Sequence, residues 1–178
     1  MNQPGIFLGA RLNFETMLTN YIDRFRKYQN RGGYYDTLHK YGVVFNVPEK
    51  LQPDYVEPGE KKQCFKNSTR LVSAKRERYV YCEGVAINAE FLGLPIEHGW
   101  VYDLQTNQII DLTWDDGVEY YGIPFKYDFY LSEHILKEEF FGGTVTTLAK
   151  YLHENPGTKP DLFLHNLLTI NHNQTKVA

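Results

Sequence analysis

The chemistry of this chain starts at a cysteine. Cys64 stands in Lys61-Lys62-Gln63-Cys64-Phe65-Lys66-Asn67-Ser68, after a loop and where a helix begins. A thiol there faces backbone N–H groups without helical partners and the positive end of the helix dipole, and both favour thiolate. Lys61 and Lys62 add to that field. Downstream lie Glu97-His98-Gly99-Trp100-Val101 and Ile110-Asp111-Leu112-Thr113-Trp114. Cysteine, histidine and aspartate in that order can serve as nucleophile, base and orienter. A single buried cysteine is ordinarily a small core hydrophobe, so the reading rests on the whole constellation.

The elements that must hold these residues follow from periodicity. The spacing predicts a first helix over Phe14 to Tyr28, capped by Asn13, with Phe14, Met17, Leu18, Tyr21, Ile22 and Phe25 at helical intervals and Gly32-Gly33 as its stop. The residues before it, Met1 to Leu12, read as an irregular lead-in. Tyr34 to Tyr41 reads as a short second helix and Val43 to Val47 as a strand ended by Pro48. Glu49 to Glu60, with Pro53, Pro58 and Gly59, is a loop that leads to Cys64. A helix is expected from Cys64 to about Lys75, with Phe65, Leu71 and Val72 inward. Asn67, Ser68 and Thr69 are poor mid-helix residues. From Arg78 to Ala86 a strand places Tyr79, Tyr81, Glu83 and Val85 on one face and Val80, Cys82 and Gly84 on the other.

Two strands then carry the base and the orienter, His98 to Leu104 and Gln108 to Leu112, joined by the turn Gln105-Thr106-Asn107. A turn centred on residue 106 sets Leu104 beside Gln108, Tyr102 beside Ile110 and Val101 beside Asp111. His98 and Asp111 then lie on adjacent strands, and the carboxylate can hold the imidazole tautomer. Val118 to Tyr121 and Phe125 to Leu131 are expected as further strands. Ser132 is expected to cap a helix to Phe140, stopped by Gly142-Gly143. Thr144 is expected to cap another that ends before Pro156, and Asp161 to Ile170 a last one. Helix, antiparallel sheet and then helices make an α+β chain.

The 178 residues predict one domain, with the core of the site at about 60–115 and a helical C-terminal part at about 132–170. With 42% hydrophobic and 15% aromatic residues, the chain is expected to fold around a real core. A net charge of -3 gives no electrostatic reason for a nucleic-acid partner. No signal-peptide pattern and no membrane-length apolar run are present, so no membrane partner is expected. Two cysteines do not make a disulfide scaffold, and a reducing cytoplasm is the expected compartment.

The same segments resemble the core of the transglutaminase-like superfamily, within the broader papain-like cysteine enzymes. The resemblance is carried by Cys64 at a helix start, Tyr81-Cys82-Glu83-Gly84-Val85, His98-Gly99-Trp100-Val101 and Asp111-Leu112-Thr113-Trp114. Family members show a "His-Ala-Trp" strand and an "Asp-Pro-Thr" strand; here Gly99 stands for the alanine and Leu112 for the proline. The resemblance implies a nucleophile helix packed on an antiparallel sheet with flanking helices. It implies Cys64 as nucleophile, His98 as base and then acid, and Asp111 as orienter. The Cys64 backbone N–H would help form the oxyanion hole. Gln63 is a candidate second oxyanion donor, and Trp100 and Trp114 are candidate core or pocket-wall residues.

The expected function is therefore cysteine-dependent acyl transfer at an amide or ester, with hydrolysis of an amide in a peptide, protein or small molecule first. Transglutamination or deamidation of a protein glutamine is the alternative within the same chemistry. An inactive module that holds a peptide or protein in the same cleft is the alternative outside it. No cofactor is implied. His39, His134, His153, His165 and His172 lack metal-site spacing, and no glycine-rich phosphate loop is present. Cys82, inside a strand, is expected to be core filler. Glu83, Glu97 and Asp115 are acids that could lie near the site.

Overall fold

A computed structural model describes residues 17–28, 32–90, 93–134 and 143–167. Five α-helices occur among them: α1 over 17–26, α2 Tyr34–Tyr41, α3 Cys64–Ala74, α4 Tyr127–His134 and α5 Thr144–Glu154. Five strands, β1 Val43–Phe45, β2 Tyr79–Asn88, β3 Ile96–Asp103, β4 Gln108–Ile110 and β5 Gly117–Phe125, form one antiparallel sheet in the order β1-β5-β2-β3-β4. The architecture is mixed α+β.

The central strand β2 is buried along its whole length, on both faces. One face, through Tyr79, Tyr81, Val85 and Ile87, packs against Leu18, Ile22, Leu38, Val72, Phe129, Val145 and Leu148 of the helices. The other, through Val80, Cys82 and Ala86, meets Phe45, Leu51, Trp100, Tyr102, Ile109 and Tyr120. Such two-sided burial explains why β2 is nearly continuous in apolar and aromatic residues. Its one acid, Glu83, is 2% exposed. Its carboxylate accepts from Tyr81 Oη at 2.8 Å and from the backbone N–H groups of Gly143 and Val145 at 3.1 and 3.0 Å. A strand residue thereby caps α5, whose own N-cap, Gly143, has no side chain to do so.

Several elements differ from the sequence expectation. Val118 to Tyr121 belongs to a single longer strand, β5, and Phe125 is its last residue. Pro124 is tolerated inside it because it lies on the edge of β5 beyond the reach of β1, where the segment at 163–165 uses its carbonyl and the His165 carbonyl opposite accepts from Leu167 N–H instead. Tyr127 to Leu131 is helix α4 rather than strand, and Ser132 lies within that helix instead of capping it. Thr144 is the first residue of α5, with Gly143 as the cap. The expected helix from Asp161 is a 3-10 turn, Pro160–Leu162, followed by non-helical chain with a single bridge residue, Leu164. That segment gives its backbone groups to the end of β5: Leu164 bridges Phe125, and His165 N–H donates to the Pro124 carbonyl at 2.9 Å. The expected lead-in at Met1 to Leu12, the Asn13 cap, Phe14, the stretch 135–142 and residues beyond 167 lie outside the described residues.

Candidate active site

Cys64 is the first residue of α3 and is half-buried. The chain reaches it through Lys62, at φ 62°, and Gln63, whose backbone forms the N-cap without a side-chain capping bond. The first turn of α3 is seated on β3. Phe65 lies against Gly99, and Ser68 Oγ donates to the Gly99 carbonyl at 3.0 Å. Three consecutive polar residues, Asn67, Ser68 and Thr69, are buried on this helix. Each bonds a different part of the molecule: Asn67 the Glu60 and Thr113 segments, Ser68 strand β3, and Thr69 the Tyr130 hydroxyl of α4.

The hairpin carrying His98 and Asp111 has a register one residue from that expected. Val101 pairs with Ile110, Tyr102 with Ile109 and Asp103 with Gln108. The turn therefore holds four residues, 104–107, and Asn107 takes up a left-handed φ of 56°. The shift matters because a one-residue slip exchanges the faces of a strand. In this register Ile109 shares the face of Tyr102, Trp100 and His98, and Asp111 follows Ile109 by two. Asp111 itself has left the ladder, its N–H donating to the Leu51 carbonyl at 3.1 Å.

His98 and Asp111 are 1% and 0% exposed, and His98 Nε2 is 2.7 Å from Asp111 Oδ2. The carboxylate is saturated with donors. Tyr120 Oη reaches Oδ2 at 2.6 Å, while the N–H groups of Thr113 and Trp114 reach Oδ1 at 2.8 and 3.0 Å. Trp114 lies flat on the imidazole, with ring centroids 3.7 Å apart and planes 9° from parallel. Burial alone would push the His98 pKa down; the charge and hydrogen bond of Asp111, with those of Cys64, raise it to about 9. Burial would raise Asp111, but the charge and hydrogen bond of His98, the Tyr120 hydroxyl and the Trp114 N–H hold it below its ordinary value.

Cys64, His98 and Asp111 therefore come together: His98 is hydrogen-bonded to Asp111, and Cys64 lies close enough to the ring to help raise its pKa. Asp111 takes Nε2, which leaves Nδ1 for the thiol. An ionised Asp111 accepts from Nε2–H, so Nδ1 is the ring nitrogen that exchanges a proton with the thiol; with its pKa raised to about 9, His98 holds that proton as imidazolium near neutral pH. Trp114 covers the imidazole and remains partly exposed, whereas Trp100 is wholly buried in the second core, between Phe45 and Tyr120. Gln63 stays beside Cys64 as its backbone cap. Cys82 is wholly buried in the second core, and burial pushes its thiol pKa up. Of the nearby acids, Glu83 is spent on α5, and Asp115 and Glu97 are exposed. Among the described residues no three His, Cys, Asp or Glu side chains are grouped to hold a metal ion.

Two residues of the site escape a reading by motif, Tyr120 and Asn67. The available signal for Asn67 is its place, with Ser68 and Thr69, in the polar run that opens α3. Tyr120 carries no local signal beyond strand alternation. No helix among the described residues is long and apolar enough to cross a membrane. No protein-family model, curated protein or solved structure matches this chain.

Proposed function

We propose that the chain is a cysteine-dependent acyl-transfer enzyme of the papain- or transglutaminase-like kind, acting first as a hydrolase of an amide bond. The single observation that carries this reading is the buried His98–Asp111 pair at 2.7 Å, with the half-buried Cys64 at a helix start close enough to act on the imidazole. A merely structural histidine needs neither a saturated carboxylate behind it nor a thiol before it.

The chemistry then runs as two proton-balanced steps. His98 Nδ1 holds the proton given up by Cys64 Sγ as sulfur bonds to the acyl carbon. The tetrahedral oxyanion lies by the backbone N–H at the start of α3. Its collapse breaks the carbon–nitrogen bond, and the leaving amine carries away the proton from His98. Water, deprotonated by the same nitrogen, then cleaves the thioester and frees the acid and the thiol. Asp111 fixes the tautomer and stabilises the imidazolium throughout. An amine acceptor in place of water gives transglutamination by the same steps.

The test is acylation by an activated ester, p-nitrophenyl acetate, followed by intact-protein and peptide mass spectrometry. One acetyl group on Cys64, absent in Cys64→Ala and slow in His98→Ala, supports the enzyme. Ammonia release from glutamine peptides would favour the deamidase or transglutaminase form. If Cys64 accumulates no acetyl group and p-nitrophenol release matches the uncatalysed rate, the thiol mechanism falls and a peptide-binding module remains.

A further inference from the structure

The three proposed reacting groups come from three separate stretches of chain, and something must hold the cysteine helix at a fixed distance from the aspartate turn. The His98–Asp111 bond cannot do this alone, because it does not reach the backbone of α3. One side chain does bridge the two. Asn67, one helical turn after Cys64 and 3% exposed, uses its whole amide. Nδ2 donates to the Glu60 carbonyl at 2.8 Å and to Thr113 Oγ1 at 3.0 Å, and Oδ1 accepts from Glu60 N–H at 3.1 Å. Thr113 in turn donates its N–H to Asp111 Oδ1 at 2.8 Å. The contacts close a ring: Cys64 beside His98, His98 bonded to Asp111, Asp111 to Thr113, Thr113 to Asn67, and Asn67 back along one turn of helix to Cys64.

The surroundings leave this amide no freedom. Gly59 N–H donates to the Leu112 carbonyl at 2.7 Å, drawing the loop before Cys64 onto the aspartate segment. A Cβ at Gly59 would lie 2.3 Å from Asn67 Cγ, so the loop approaches as closely as it does only because residue 59 is glycine. Aspartate at position 67 would keep the size but lose both donated bonds, and leucine would lose all three and orphan the Glu60 groups.

We propose that Asn67, acting through Thr113, is a positioning residue that sets the Cys64–His98 distance. The proposal rests on the thiol reading above. Asn67 touches no reacting atom, so beyond its part in holding the Glu60 loop its effect should be read in the reactivity of Cys64.

The test uses the full chain and limiting iodoacetamide across a pH series, with labelling of Cys64 and Cys82 followed separately by peptide mass spectrometry. The variants are Thr113→Val, Thr113→Ser, Asn67→Leu and His98→Ala. Thr113→Val removes only the bridging acceptor, so it remains informative if Asn67→Leu fails to fold. The expected result is that Thr113→Val slows Cys64 labelling roughly tenfold near neutral pH and shifts its pH profile, as an ångström-scale misplacement of a catalytic pair would. Thr113→Ser, which restores the acceptor, should restore both. Buried Cys82 reports loosening of the fold, and its labelling should stay slow in every case. If His98→Ala slows Cys64 while Thr113→Val and Asn67→Leu do not, the positioning role is wrong and the thiol reading stands. If Thr113→Ser is as impaired as Thr113→Val, or if Cys82 labelling accelerates alongside, the bond is structural only and the proposal fails. If His98→Ala leaves Cys64 unaffected, the thiol reading itself falls and takes the proposal with it.

Discussion

Tyr120 donates its hydroxyl to the same Asp111 oxygen, Oδ2, that His98 Nε2 meets, at 2.6 and 2.7 Å. Tyr120 belongs to β5, and two strands, β2 and β3, lie between β5 and β4 in the sheet. The hydroxyl reaches Asp111 because the sheet curls, bringing β5 and the end of β4 towards one another across the second core. The bond therefore reports on the curvature as well as on the charge of the carboxylate.

Tyr120→Phe tests both. The change removes one donor from a buried carboxylate that keeps three others, so a loss of about 1–3 kcal/mol in unfolding free energy is expected. Asp111 should also become easier to protonate. Its folded pKa lies below the unfolded one, so it contributes stability that is present above the unfolded value and lost as pH falls through the folded value. With one donor gone the folded value rises, and acid unfolding should begin at a higher pH. Tryptophan fluorescence, reporting on Trp100 and Trp114, would follow it. An unchanged acid limb would mean that the hydroxyl does not stabilise the charge.

Asp111→Asn separates orientation from packing. The amide fits the cavity, but the one remaining oxygen of an asparagine cannot accept from all four donors already pointing there. Either the imidazole changes tautomer or a donor goes unpaired. Turnover should fall by up to about 10⁴-fold, and by less where the intrinsic nucleophilicity of sulfur compensates. Full acetylation kinetics at Cys64 in this variant would assign Asp111 to structure alone.

The raised His98 pKa makes stability depend on pH in a defined window. A group raised from 6.5 to about 9 on folding contributes stability that is complete below about 6.5 and lost as pH rises through about 9. Unfolding free energy should decline over that interval by an amount on the order of 1–3 kcal/mol. The tyrosines near the site are raised above an ordinary value of 10 and do not titrate within it. Urea midpoints at half-unit pH steps, compared with those of His98→Ala, measure the effect. A decline of equal size in His98→Ala would place its origin elsewhere.

Much of the site is legible in the sequence because the groups involved lie on elements with strong local signals. His98 and Asp111 flank a hairpin whose alternation is plain, and Cys64 follows a loop rich in proline. The expected register is off by one residue because the turn takes Leu104 as well as Gln105 to Asn107, and a left-handed Asn107 permits it. Asn67, Ser68 and Thr69 argue against mid-helix positions on propensity, yet tertiary partners satisfy each of them and outweigh it. Tyr120 is not legible at all, since its partner lies across two intervening strands. The region after Phe125 departs from expectation for a related reason. In Tyr127 to Leu131 the aromatic residues favour strand intrinsically, and the helix there is fixed by packing of Phe129 and Tyr130 into the helix-side core.

Gly99 offers the sharpest test of how the cysteine helix is seated. It lies between His98 and Trp100 on β3, opposite Glu83, and faces the first turn of α3. A Cβ there would lie 2.8 Å from Phe65 Cδ1 and 3.4 Å from Phe65 Cα. The ring could turn away, but the backbone of Phe65 has less room to yield. Phe65 directly follows Cys64, and Ser68 ties the same turn to the Gly99 carbonyl. Gly99→Ala should therefore lift the start of α3 slightly and cost about 1–3 kcal/mol, as overpacking of a tight fit does. Phe65→Leu in the Gly99→Ala background should relieve the clash, so the double variant should recover stability and Cys64 reactivity together. The two residues should show a coupling energy of at least about 0.5 kcal/mol in a double-mutant cycle of urea unfolding. Additive losses would mean that the helix is positioned by its polar bonds alone.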